Sequence, residues 1–127
     1  MQELPQATDA QLKHWSASKA QACSCSLGAC VGWESITESR WPAEQAKAVA
    51  TLRAPDGVEP TYEEYHPEGT RYESLLAPVV AGFFPYNRCD VYQCSGCERY
   101  LMRYTEYGGY YVDHRARCLN GAPVADL

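Results

Sequence analysis

Apolar positions change their spacing several times along the chain, and each change predicts an element. Thr8-Asp9-Ala10-Gln11 carries a capping-box pattern, with threonine at the N-cap and glutamine three residues on. Leu12, Trp15 and Ala22 then share one helical face, with Lys13 and Gln21 elsewhere, so a helix is predicted over about 9–22. Residues 31–37 (VGWESIT) alternate as a strand does, with Trp33 as a core anchor. Pro42 suits the first turn of a short helix over about 43–48, after which 48–53 reads as extended. Ala54-Pro55-Asp56-Gly57 is a turn by composition. Residues 61–66 and 70–74, separated by Pro67-Glu68-Gly69, read as a hairpin that pairs Tyr65 with Arg71 and Glu64 with Tyr72. Residues 75–87, interrupted by Pro78 and Pro85, suit neither a central strand nor a regular helix. They are expected as an ordered apolar connection, with Phe83 and Phe84 plugging the core.

Residues 88–118, RCDVYQCSGCERYLMRYTEYGGYYVDHRARC, organise the remainder. Cys94 and Cys97 enclose Ser95-Gly96, a compact turn that presents two thiolates to one tetrahedral metal, with glycine to ease a positive φ. A CxxC also suits a redox pair at a helix start. Here, however, the following run is rich in β-formers, Tyr100, Tyr104, Tyr107, Tyr110, Tyr111 and Val112, and strands are predicted. Gly108-Gly109 reads as a two-residue hairpin turn. That turn pairs Tyr107 with Tyr110, Thr105 with Val112, Arg103 with His114 and Leu101 with Ala116 on one face. The other face then carries Glu106 with Tyr111, Tyr104 with Asp113 and Met102 with Arg115.

Composition narrows the class. The 127 residues are 46% hydrophobic and 21% charged, ordinary for one globular domain spanning 1–127. The net charge of −5 works against general binding to nucleic acid or an anionic membrane. Seven cysteines is a high and odd count, and the start, MQELPQATDA, has neither the basic nor the apolar region of a secretion signal. No run approaches the ~18 apolar residues of a membrane span. A cytoplasmic, reduced, metal-binding chain is therefore expected. All three tryptophans lie in the first third and all ten tyrosines from Tyr62 onward, which predicts an α+β fold. Its N-terminal helix would pack on an antiparallel sheet of hairpins and end in a zinc-ribbon-like C-terminal hairpin.

A structural Zn2+ site takes four ligands. Cys94 and Cys97 supply two; the second pair is Cys23 with Cys25, Cys25 with Cys30, or Cys89 with Cys118. Cys23 and Cys25 are preferred, because a CxC after a helix end is a compact two-thiolate donor. Cys89 is the main rival, and Cys30 and Cys118 read as small buried hydrophobes. His66, near Glu64 and Tyr72, could serve as a general base on a loop or simply close a hairpin end. His14 reads as solvated, and His114 as too far along its strand to bind the metal. No phosphate loop, nucleophile elbow or HExxH is present.

Taken together, VGWES, TYEEYHPEGTRY, FFPYNRCDVYQCSGC and RYTEYGGYYVDHR resemble a family of small uncharacterised bacterial proteins, over most of the chain from about Cys23 on. The resemblance implies kinship of fold and no activity. The CxxC and its hairpin resemble a zinc-ribbon knuckle over about 25 residues, though a second CxxC is missing. Two functions follow as expectations. One is a non-catalytic, zinc-stabilised interaction protein that meets a protein partner through Tyr100, Arg103, Tyr104, Tyr111 and Arg115. The other is a single-stranded nucleic-acid binder on the same hairpin. Five arginines against four acids in 88–117, a net of +1, is a weak electrostatic footprint for the second. A zinc enzyme ranks third, since an all-cysteine site leaves no open position.

Overall fold

The computed structural model describes residues 4–18, 30, 32–53, 61–66, 69–72, 74, 76–107 and 112–125. One helix, α1 (Asp9–Ala17), precedes five strands: β1 (Glu34–Ser35), β2 (Ala46–Thr51), β3 (Asp90–Cys94), β4 (Tyr100–Tyr107) and β5 (Val112–Cys118). They form one antiparallel sheet in the order β1-β5-β4-β3-β2. The α+β expectation is met at this level.

Helix α1 begins where the local signal places it. The Thr8 hydroxyl accepts from the Gln11 N–H at 3.1 Å and the Gln11 side chain accepts from the Thr8 N–H at 2.9 Å, the reciprocal capping box. The helix ends at Ala17, short of 22, with Ser18 in extended conformation as its C-cap. Residues 19–29, with Ala22, Cys23 and Cys25, lie outside the described part.

Both faces of the sheet are covered. On one, Leu12 of α1 joins Trp33, Val79, Tyr86, Val91, Met102, Tyr104 and Leu119. On the other, Ile36 and Trp41 cover Ala46, Leu101, Ala116 and Cys118. Trp33 and Ile36 flank the short edge strand β1 and so reach opposite faces, and Trp33 is the core anchor its alternation predicts.

Four local expectations are corrected. Residues 43–45 are a turn and 46–51 form β2, so the helix over 43–48 does not form. Alanine favours a helix intrinsically, but pairing Ala46–Thr51 with β3 covers an edge that would otherwise be open. No strand occurs among the described residues of 61–74. His66 instead bridges Thr70 (2.9 Å) and Glu64 (2.9 Å), and Tyr72 leaves to pack on Trp33. In the connection before β3, Phe83 and Phe84 are only half-buried, and Tyr86, on a 3-10 turn, is the inner plug. Finally, β4 pairs with β5 two residues further on than a Gly-Gly turn requires: Tyr107 faces Val112, Thr105 His114, Arg103 Ala116 and Leu101 Cys118. A slip of two leaves every side chain on its predicted face, which is why alternation alone could not exclude it.

Candidate functional site

The CxxC lies where β3 turns into β4. Cys94 ends β3, Ser95 to Cys97 form the turn, and β4 starts at Tyr100 with no helix between. The Cys94 N–H donates to the Arg99 carbonyl (2.9 Å) and the Glu98 N–H to the Cys94 carbonyl (2.8 Å). Ser95 N–H donates to the Gln45 carbonyl (2.9 Å), which pins the turn to the start of β2. The left-handed residue is Glu98, at φ 64°, immediately after Cys97. A non-glycine residue there is uncommon and holds backbone strain, which the surrounding bonds must sustain. Cys94 and Cys97 are both fully buried.

The other described cysteines are packed and protonated. Cys30 donates to the Ala116 carbonyl (3.3 Å) and Cys89 to the Pro85 carbonyl (3.3 Å). Burial, reinforced by Glu34, pushes the Cys30 thiol up to about 12. Burial likewise raises Cys89 and Cys118, with neighbouring Cys97 adding to the effect on Cys118. Neutral, enclosed thiols of this kind are unreactive.

The flanks of 19–29 both end beside the knuckle. Ser16 and Ser18 carbonyls accept from Gly121 N–H (2.7 Å) and Asn120 Nδ2 (2.8 Å), and the Cys30 carbonyl accepts from Cys118 N–H (2.7 Å). Asn120 Oδ1 in turn accepts from the Tyr100 N–H (2.6 Å), three residues past Cys97. Among the described residues no group of three or more ligating side chains converges. Cys94 and Cys97 are of the residue type and spacing that supply two of the four thiolates of a structural zinc.

The Tyr/Arg set splits between the two faces. Tyr100 stacks on Trp15 at 4.8 Å and Tyr104 sits edge-on to Trp33 at 5.1 Å on the helix-covered face. Arg115 joins Tyr104 there, donating to Asp113 Oδ2 (2.8 Å), to the Tyr72 hydroxyl (3.2 Å) and to the Tyr104 hydroxyl (3.4 Å). The Tyr72 and Tyr104 hydroxyls bond each other. Arg103 lies on the opposite face, 4.3 Å over the Trp41 ring and 2.7 Å from Glu38 Oε1. Tyr111 lies outside the described residues. Tyr104 is 4% exposed and supports the surface from beneath.

Charge in this network is fixed. Hydrogen bonds to Tyr72 and Asp113 raise Arg115, while burial and the bond to Tyr72 push the Tyr104 phenol up. Burial works to raise the Asp113 carboxyl, but hydrogen bonds from Arg115 and Ser35 prevail and hold it below its ordinary value. The sequence reading missed Glu38, Tyr72 and Asp113 as the partners of these arginines. It also missed Arg117, fully buried and bonded to the Tyr86 hydroxyl. Strand parity was the available signal, since Asp113, Arg115 and Arg117 face the same side as Met102 and Tyr104.

His114 faces Thr105, not Arg103, and bonds it at 2.9 Å while its Nε2 meets Glu38 at 3.0 Å. His66 holds the same kind of Thr–His–Glu chain with Thr70 and Glu64. His14 is exposed in the last turn of α1.

Fold and site together define an α+β protein with a buried CxxC turn at one end of a five-stranded antiparallel sheet. Comparison with models of protein families, with curated proteins and with solved structures gives no match. Among the described residues, no helix is long and apolar enough to cross a membrane.

Proposed function

We propose that this chain is a non-catalytic, zinc-stabilised interaction protein that binds a protein partner through its β4–β5 hairpin and the segments packed beside it. The observation that carries the metal half is the pair of fully buried thiols, Cys94 and Cys97, on a turn whose exit residue holds φ 64°. Cys23 and Cys25 complete the ligand set in this reading, within a stretch whose two flanks are bonded to residues 118–121 beside the knuckle. The knuckle and the hairpin after it form the zinc-ribbon-like half, consistent with the resemblance to small bacterial proteins noted for these motifs.

A protein partner is favoured over nucleic acid because Arg103 and Arg115 are already held by Glu38 and by Asp113, with Glu106 3.6 Å from Arg115. Cations so neutralised are poor phosphate contacts, and the chain is acidic overall. The test is elemental analysis of the purified protein beside affinity capture from its native cell. One zinc per chain and a stoichiometric protein partner support the reading. A metal-free chain ends the metal half, and micromolar, steeply salt-dependent binding of single-stranded RNA or DNA ends the partner half.

A further inference from the structure

Arginine on an aromatic ring, closed by a carboxylate, recurs in this molecule. Arg103 lies 4.3 Å over Trp41 and bonds Glu38 at 2.7 Å; Arg115 lies 5.6 Å over Tyr72 and bonds Asp113 at 2.8 Å. A cleft of about 180 Å³ at the far end of the helix-covered face carries the same elements. It is lined by Tyr62, Phe84, Arg88, Tyr104, Thr105 and Glu106. About 150 Å³ suffices for a benzene-sized group, so a planar head group with part of its stem has room here.

Two of its side chains are under-used. Tyr62 is 75% exposed: the Arg88 guanidinium covers its ring at 4.4 Å and Phe84 lies beside it at 5.8 Å, yet most of its surface remains open. Glu106 is partly exposed, and its Oε2 meets the Tyr104 hydroxyl at 3.4 Å and Arg115 at 3.6 Å. Among the described residues, its Oε1 has no hydrogen-bond partner. The cleft thus brings together a largely exposed ring and a carboxylate, the two kinds of group that hold Arg103 and Arg115.

We propose that this cleft receives an arginine side chain of the protein partner, its guanidinium stacked on Tyr62 and hydrogen-bonded to Glu106. This rests on the partner reading above and deepens it. A guanidinium matches the site better than an ammonium because it is planar, stacks on a ring and presents parallel N–H groups to a carboxylate. Arg88 demonstrates that the Tyr62 and Phe84 rings accept one, lying 4.4 and 5.9 Å from their centroids. The net charge of −5 also draws in a basic partner surface.

The experiment is an NMR titration of the full chain with N-acetyl-arginine amide, repeated with the lysine analogue and with guanosine monophosphate. Saturable shifts of the Thr105 and Glu106 amides are expected, with the lysine analogue roughly fivefold weaker, as loss of one exposed charge-assisted contact implies. Glu106→Gln should abolish them, and Tyr62→Ala should weaken them while leaving the amide spectrum of the sheet in place. Absence of shifts, shifts unchanged in Glu106→Gln, or a preference for the nucleotide overturns the proposal. Capture of a partner separates the two readings: a partner retained at full affinity by Glu106→Gln and Tyr62→Ala sinks the arginine cleft and spares the partner, whereas recovery of no partner sinks the broader reading.

Discussion

The two ends of the β3–β4–β5 sheet are built from different chemistry. At the knuckle end, Cys94 and Cys97 are fully buried, and the turn is held by backbone hydrogen bonds together with the side-chain amides of Gln93 and Asn120. At the opposite end Glu106, Asp113 and Arg115 sit half-buried, tied to tyrosine hydroxyls. A buried thiol pair gains little from water and much from a metal. A half-buried ion network gives modest stability while setting a fixed pattern of charge at the surface. In the function proposed above, the first end closes the fold and the second recognises the partner.

The widest separation between the ends is expected from Cys94→Ser. Zinc-finger peptides draw about 10–16 kcal/mol from such a site, against domain stabilities of about 5–15 kcal/mol. The variant should lose stoichiometric zinc in elemental analysis and melt on the order of 10 °C lower or more. Cys30→Ser and Cys118→Ser should keep the metal. An unchanged melting temperature with no metal in either protein would erase the contrast.

Arg115→Met tests the other end. It removes bonds to Asp113, Tyr72 and Tyr104 and should cost roughly 1–2 kcal/mol in chemical denaturation, with zinc content untouched. Zinc loss in this variant would mean that the two ends are not independent.

Glu38→Gln loosens the clamp that joins the 37–41 segment to Arg103 and His114. Glu38 is largely exposed, so about 0.5–1 kcal/mol is expected in a denaturant titration, and less at high salt. A cost of several kcal/mol would show that this face relies on the ion pair more than on Ile36 and Trp41.

The smallest effect is on the acid limb. The folded Asp113 carboxyl lies below its ordinary value of 3.8, so its stabilising contribution is present above that value and is lost as pH falls through the lower folded one. Asp113→Asn should flatten the stability profile below about pH 4 and leave the neutral range nearly unchanged apart from a constant offset. An NMR titration placing the Asp113 carboxyl at or above its ordinary value would reverse the sign.

Some of this was legible in short stretches. The Thr8/Gln11 capping box starts α1, because both its hydrogen bonds close within four residues. The CxxC turn before a strand, and the face on which each β4 and β5 residue lies, follow from glycine placement and period-two alternation. Trp33 as a core anchor belongs with them.

Tertiary structure decided the rest, wherever local signals were degenerate or outweighed. A hairpin register and the same register slipped by two present identical faces, so only packing sets Leu101 against Cys118. Ala46 to Ala48, which read as the end of a short helix, instead open the strand Ala46–Thr51 because β3 needs a neighbour, while the extended reading of the residues after Ala48 agrees with that strand. The ring beside each arginine comes from a segment far away in sequence, Trp41 for Arg103 and Tyr72 for Arg115, and so does the Glu38 carboxylate of Arg103, whereas Arg115 takes its carboxylate from nearby Asp113. Alternation marks where a side chain points; what it meets there is set by the segments the fold lays across the sheet.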